Sequence, residues 1–236
     1  MFDFSGQRVL VIGGSSGIGF ATARLAASLG ADVTIASRTA SKLEGAASRM
    51  TFPVRTSVID VTSDASVDAL FADGRAWDHV VVTGSQVTIG LVRTSPIETA
   101  QAAFNSKYWG FYRVARAATI RPGGSLGVVA GFLATRPNAQ RALMGSINGA
   151  LECLVQGLAL EMKPVRVNAV SPAMVDTEMW GGSKEDRDAL LAKVGASYPA
   201  GRVGAPEDIA HQLLLLAATG YATGTIVTLD GGASLA

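Results

Sequence analysis

The stretch Val9-Leu10-Val11-Ile12-Gly13-Gly14-Ser15-Ser16-Gly17-Ile18-Gly19 decides the fold. A β-branched apolar run enters a glycine-rich turn. Phe20-Ala21-Thr22-Ala23-Arg24-Leu25-Ala26 then leaves it with a small-residue helix pattern. The order is strand, phosphate loop, helix. Glycine allows the tight turn and lets the backbone approach a pyrophosphate closely. A helix starting near Gly17 offers that anion free N–H groups and the positive end of its dipole. Glycine-rich turns also join ordinary strands to ordinary helices. Position separates the two cases: this loop follows the first strand of a chain in which strand and helix patterns alternate, so Gly13, Ser15, Ser16, Gly17, Ile18 and Gly19 are read as a dinucleotide cradle.

Outward from the loop, the first strand is Arg8 to Ile12 and the first helix runs from about Gly17 to Leu29, with Gly30 as its C-cap. The second strand, Asp32 to Ala36, ends in Ser37-Arg38. In a dinucleotide-binding unit this end meets the adenosine ribose, where a carboxylate selects a 2′-OH and a basic residue selects a 2′-phosphate. No acid stands here, so the expected cofactor is NADP(H), ahead of NAD(H). The alternative for Arg38 is a solvated surface arginine. A helix over Ser41 to Met50 and a strand over Val54 to Ile59 follow. Asp60-Val61 closes that strand, where a carboxylate accepts from an adenine amino group. A helix over Asp64 to Phe71 leads to a strand over His79 to Val82, and Thr83-Gly84-Ser85-Gln86 lies at its carboxyl end, where open α/β sheets bind ligands. His79, next to Trp77 and Asp78, reads as structural.

The second half continues the alternation. A long helix is expected from Ile97 to Thr119, with Pro96 at its first turn. A strand over Ser125 to Ala130, a helix from about Gln140 to Met162, and a strand over Val165 to Val170 follow. The small residues Gly145, Ser146, Gly149 and Ala150 suggest close packing of that helix against another. Asp176-Thr177-Glu178-Met179 opens a segment carrying Gly181 and Gly182. Helices at Lys184 to Val194 and Pro206 to Ala218 and a strand at Thr225 to Leu229 complete the chain. Strands alternating with helices predict one domain over 1–236, a doubly wound parallel α/β sheet of the Rossmann type.

Composition bounds the function. The 236 residues suffice for one large α/β domain. Hydrophobic residues at 48% and charged residues at 17% argue against disorder. The net charge of +1 and the lack of a dense basic stretch argue against nucleic acid or a membrane surface as partner. No apolar run reads as a bilayer span and no signal peptide is evident. One cysteine, Cys153, excludes an internal disulfide and suits a reducing cytoplasm. His79 and His211 are far apart, and no spacing suggests a metal site.

Taken together, these motifs resemble the short-chain dehydrogenase/reductase family over nearly the whole chain. Gly13, Gly17 and Gly19 match its Thr-Gly-x-x-x-Gly-x-Gly loop, with Ile12 in place of the threonine. Asp60-Val61 matches its adenine-binding pair. Arg166-Val167-Asn168-Ala169-Val170-Ser171-Pro172 matches its sixth-strand signature, with Ala173 where glycine is usual, and Pro172 joins the cofactor-binding set. Val175 and Thr177 match the positions that hold the nicotinamide carboxamide. Gly201-Arg202-Val203-Gly204, Pro206 to Ala210, and Thr223-Gly224 through Asp230-Gly231-Gly232 match the C-terminal pattern. The resemblance implies hydride transfer between NAD(P) and an alcohol or carbonyl, and a homotetramer or homodimer.

The departure is in the chemistry. The family uses asparagine, serine, tyrosine and lysine. Counting back from Ala150-Leu151-Glu152, the tyrosine position holds Met144 and the lysine position Asn148; the serine position is Gly131, within one residue. The asparagine position, counted from Gly110, is Lys107. The lysine and asparagine have thus exchanged places, and the resemblance would set Lys107 and Asn148 on neighbouring helices facing one site. Lys107 would then supply positive charge near the nicotinamide ribose; the alternative is a surface lysine and a core amide. Candidate proton sources are Ser85, Ser146, Lys107 and water. Three readings stand: an NADP(H)-dependent oxidoreductase acting on a small hydrophobic carbonyl, alcohol or imine; a cyclase, isomerase or lyase on the same scaffold; and a non-catalytic nucleotide sensor or partner subunit. Met174, Met179 and Trp180 suggest an apolar cover over the pocket.

Overall fold

A computed structural model describes residues 3–84 and 90–236. Seven parallel strands form one sheet in the order β3-β2-β1-β4-β5-β6-β7 among the described residues. They are β1 (Arg8–Ile12), β2 (Asp32–Ser37), β3 (Arg55–Val58), β4 (Trp77–Val82), β5 (Ile120–Val129), β6 (Arg166–Pro172) and β7 (Ile226–Leu229). β1 from Val9 to Ile12 and β4 from Val80 to Val82 read as continuous apolar runs because helices cover both faces of the sheet. Val9, Leu10, Val80, Val167 and Ala169 are fully buried. The doubly wound α/β expectation holds.

One face carries α1 (Gly17–Ser28), α2 (Ala40–Ala47) and α8 (Pro206–Ala218), packed on Val9, Val11, Val33 and Ile35. The other carries α3 (Asp64–Phe71), α5 (Gly110–Ala117) and α6 (Ala142–Glu161), packed on Leu10, Val80, Leu126 and Val167. The chain reverses direction across the sheet between β1 and β4, which pair directly from Val9↔His79 to Ile12↔Val82. The crevice at the carboxyl ends of these two strands is where a doubly wound sheet binds ligands.

Several expectations need correction. The long helix read over Ile97 to Thr119 is broken: α4 (Ile97–Phe104) gives way to a π-helical turn, Asn105–Trp109, before α5, which ends at Ala117. Periodicity could not show this, because one inserted residue leaves both flanking apolar faces intact. β5 begins five residues earlier than read, at Ile120, through Arg121-Pro122-Gly123-Gly124. Turn residues hid that extension. Gly145 packs not on a helix but on the 3₁₀ turn Phe132–Ala134, where a Cβ would meet Leu133 O at 2.9 Å. α6 has the length and hydropathy (20 residues, mean 1.3) of a bilayer span, contrary to the sequence reading. Its Ile147, Leu151 and Val155 are fully buried in the core.

Several family-like motifs serve the fold. Arg166 reaches the C-terminal end of α8 and donates to Leu216 O at 2.7 Å and Ala217 O at 2.5 Å. Those carbonyls have no partner within the helix. Asn168 donates to Ala222 O and accepts from Thr225 N, tying β6 to the turn before β7. His79 lies at the opposite end of the sheet from the crevice. Its ring nitrogens contact Ser125 Oγ at 2.8 Å and Gln7 Oε1 at 2.6 Å, which fits the structural reading.

Candidate active site

The glycine loop forms because its neighbours leave no space for side chains. A Cβ at Gly19 would lie 2.2 Å from Gly13 O, and one at Gly13 would lie 2.4 Å from Gly84 N. Gly13 and Gly17 also adopt φ of +90° and +50°, the left-handed region open to glycine. The first turn of α1 contains no acidic residue, so its N-terminus keeps its positive character for an anion.

Two contiguous cavities open from this loop. The smaller, about 220 Å³, is lined by Ser15, Ser16, Ser37, Arg38, Asp60, Val61 and Gly84 among others. Sequence reasoning missed Lys42 here, one turn into α2 beside Arg38. Its signal was available: a second basic residue four positions after Arg38. Ser37 Oγ is buried with no hydrogen-bond partner, a polar atom aimed at nothing the protein provides. Asp60 accepts from Thr62 N at 2.9 Å and Thr62 Oγ1 at 2.7 Å, and these bonds hold its carboxyl below the usual carboxylate range. A sugar bearing a phosphate fits this end: two cations, an orphaned hydroxyl and a fixed carboxylate.

The larger cavity, about 650 Å³, runs from Gly13, Ser16, Gly17, Ile18 and Gly19 past Thr83 and Gly84 to Lys107, Met144 and Asn148. Pro172, Val175 and Thr177 line its wall, so every described cofactor-site residue read from the sequence meets one of the two cavities. Thr177 sits against the loop, 3.0 Å from where a Gly17 Cβ would stand. Met174, Met179 and Trp180 line the same space with Phe132 and Leu133, as expected for an apolar cover. Trp180 is anchored from both sides. Its Nε1 donates to Val175 O at 2.7 Å, and the Arg141 guanidinium lies 5.7 Å from its ring centroid.

At the floor, the π-helical turn presents Lys107 inward. Its side chain is buried, and Nζ donates to Asn148 Oδ1 and to Ala130 O, both at 2.7 Å. The surface-lysine alternative therefore fails, and the two exchanged residues do meet. Burial pushes the Lys107 pKa down to about 8, against the opposing pull of the Glu152 carboxylate. Glu152 accepts from Ser171 Oγ at 2.8 Å, and burial raises its pKa. Sequence reasoning used Glu152 only as a counting mark.

Gly131 explains its own identity: a Cβ there would lie 2.6 Å from Asn148 Nδ2. Ser146 is a correction. It is exposed, outside the cavity lining, and its hydroxyl donates back to Ala142 O at 3.0 Å, because two residues along a helix from Met144 is nearly the opposite face. Ser85 lies outside the described residues. Among the described residues no group of His, Cys, Asp and Glu could hold a metal.

Comparison with known proteins agrees with this geometry. A family model described as enoyl-(acyl carrier protein) reductase matches residues 12–234. The short-chain dehydrogenase/reductase ATR9 of Stachybotrys chlorohalonatus is 35% identical, with 98% of each chain covered. The solved structure of the MalC reductase/Diels-Alderase from Malbranchea aurantiaca superposes with a TM-score of 0.89 at 27% identity, covering 99% of this chain and 98% of that one. A small-chain dehydrogenase in complex with NADPH superposes at 0.83 with 30% identity, covering 98% and 99%. With its motifs in one crevice and its whole length matched, the chain belongs to the short-chain dehydrogenase/reductase family.

Proposed function

We propose that the protein is an NADP(H)-dependent oxidoreductase with an atypical active site, acting on a small hydrophobic carbonyl, alcohol or imine. The observation that carries this reading is the continuity of the two cavities. An anion cradle joins a doubly basic pocket at one end to an apolar chamber floored by Lys107 and Asn148 at the other. The NADPH held by a related dehydrogenase supports the choice of cofactor.

Bound NADPH would supply the hydride. The loop N–H groups and the N-terminus of α1 would hold its pyrophosphate. Arg38 and Lys42 would hold the 2′-phosphate, with Ser37 Oγ available to the ribose. Pro172, Val175 and Thr177 would hold the nicotinamide end, with Lys107 supplying positive charge on that side. Met144, Met174, Leu133 and Trp180 would give the substrate an apolar wall.

A general acid contributes about 10²–10⁴-fold to such a reaction. Met144 has no proton to give and Gly131 has no hydroxyl. Orientation of the two reactants can contribute more than that, so the proposal is for slow hydride transfer without a side-chain acid at these two positions. We place the protein in the cytoplasm as a homotetramer or homodimer, in keeping with its free Cys153 and with exposed Trp109, Tyr112 and Leu160.

A second reading, a non-redox cyclase on the same scaffold, draws on Met144 and Gly131 and on the Diels-Alderase activity in the description of MalC. Titration with NADPH and then NADH, followed by nicotinamide fluorescence, tests the first reading, with a carbonyl and imine turnover screen. Tight NADPH binding, weak NADH binding and cofactor oxidation are expected. Binding of neither cofactor overturns the proposal.

A further inference from the structure

The two ends of the Asn148 carboxamide are told apart by their neighbour. A lysine side chain donates only, so the end facing Lys107 is the oxygen, at 2.7 Å from Nζ. The amide nitrogen therefore points the other way, toward Gly131, whose missing Cβ leaves it room. No described residue accepts a hydrogen bond from Nδ2. Asn148, Gly131 and Met144 line the same cavity, which brings this amide to the wall of the chamber.

We propose that Asn148 is the residue that binds the substrate's carbonyl oxygen or imine nitrogen, donating into the chamber from Nδ2, which stands beside Gly131. Lys107 is its positioning residue: by holding Oδ1 it forbids the flipped amide, which would present an acceptor to the substrate. This rests on the reading of the chamber as a carbonyl or imine site. As hydride from the reduced nicotinamide reaches the substrate carbon, oxidising the nicotinamide, the C=O π pair moves onto oxygen. Nδ2 hydrogen-bonds the charge that develops there. A carboxamide N–H donates a hydrogen bond without surrendering its proton, so the alkoxide takes its proton from water. The site therefore favours electron-poor carbonyls, which accept hydride readily and give weakly basic alkoxides that need little help from an acid.

The test uses ¹⁵N-labelled full-length protein saturated with NADP⁺. The Asn148 side-chain amide is assigned by its disappearance in Asn148→Asp. Acetophenone is expected to move an Asn148 amide proton downfield, and α-methylstyrene, of the same shape without the oxygen, to leave it in place. No movement with the ketone, or equal movement with both, overturns the proposal. A second arm measures turnover of trifluoroacetophenone. Asn148→Asp keeps an oxygen for Lys107 and loses the N–H, so kcat at saturating NADPH is expected to fall about 10²-fold. Gly131→Ser in the Asn148→Ala background places a hydroxyl in the same space and is expected to recover activity over Asn148→Ala alone. Retained kcat in Asn148→Asp would show that the amide merely holds Lys107. A ketone-specific shift without any turnover overturns the redox reading and leaves the donor standing; turnover without that shift does the reverse.

Discussion

The amide nitrogen of Asn148 stands 2.6 Å from the point where a Cβ on Gly131 would be. The two positions are therefore coupled: the side chain that reaches Lys107 fills the space beside residue 131. The family's serine cannot be restored at 131 without changing 148.

Gly131→Ser alone is expected to destabilise the protein by about 1–3 kcal/mol, the usual cost of overpacking a filled site. Asn148→Ala with Gly131→Ser should relieve the overlap but remove an acceptor from the buried Lys107 ammonium, so it stays less stable than the parent. Urea unfolding of the two variants and the parent checks both statements. Equal stability of Gly131→Ser and the parent would show that Asn148 swings aside freely.

Arg38 and Lys42 line the pocket beyond the glycine loop together. Each charged hydrogen bond to a phosphate is worth about 1.5–3 kcal/mol. Arg38→Ala should weaken NADPH binding at least tenfold and leave NADH binding nearly unchanged, and the double variant with Lys42→Ala should weaken it further. Fluorescence titration at two salt concentrations reads this out. An equal loss for both cofactors would place Arg38 at some other part of the dinucleotide.

Lys107 gives the protein a pH signature. Its pKa is pushed from 10.5 down to about 8 by burial. Between those values the unfolded chain holds a proton that the folded chain has released, so stability from this group rises with pH over that window. Lys107→Met removes the rise. Denaturant midpoints measured from pH 7 to 10.5 should converge toward the variant's flat profile, and an identical slope in parent and variant would contradict the assignment.

His79 acts at the other end of the scale. Burial, assisted by the Arg166 charge, pushes its pKa from 6.5 down to about 4. The unfolded chain binds the extra proton first, so stability is lost as pH falls from 6.5 through 4. His79→Gln should blunt that acid sensitivity at some cost at neutral pH, where the ring bridges Gln7 and Ser125. Melting curves at pH 7 and pH 5 provide the comparison, and parallel losses would rule His79 out as the source.

Most of the scaffold was legible in the residues. β1 and α1 announce themselves because a buried parallel strand must be apolar throughout, while a phosphate loop tolerates nothing larger than glycine at its closest approaches. That the residues from Gly13 to Thr177 line one crevice followed from motif order, since each motif sits at the carboxyl end of a strand. The break at Asn105–Trp109 and the early start of β5 at Ile120 were not legible. Local periodicity and turn propensity are blind to how a helix or strand is held by its neighbours.

The sequence by itself determined the doubly wound sheet and the motif order that marks the family. Only the tertiary structure decided that Lys107 and Asn148 meet. Lys107 and Asn148 are 41 residues apart, and no local rule connects them. Their contact exists because the π-helical turn and α6 meet below β5, in a buried space where a cation must find oxygen acceptors. Burial turned two exchanged letters into a hydrogen-bonded pair, and that pair fixed which end of the Asn148 amide faces the substrate chamber.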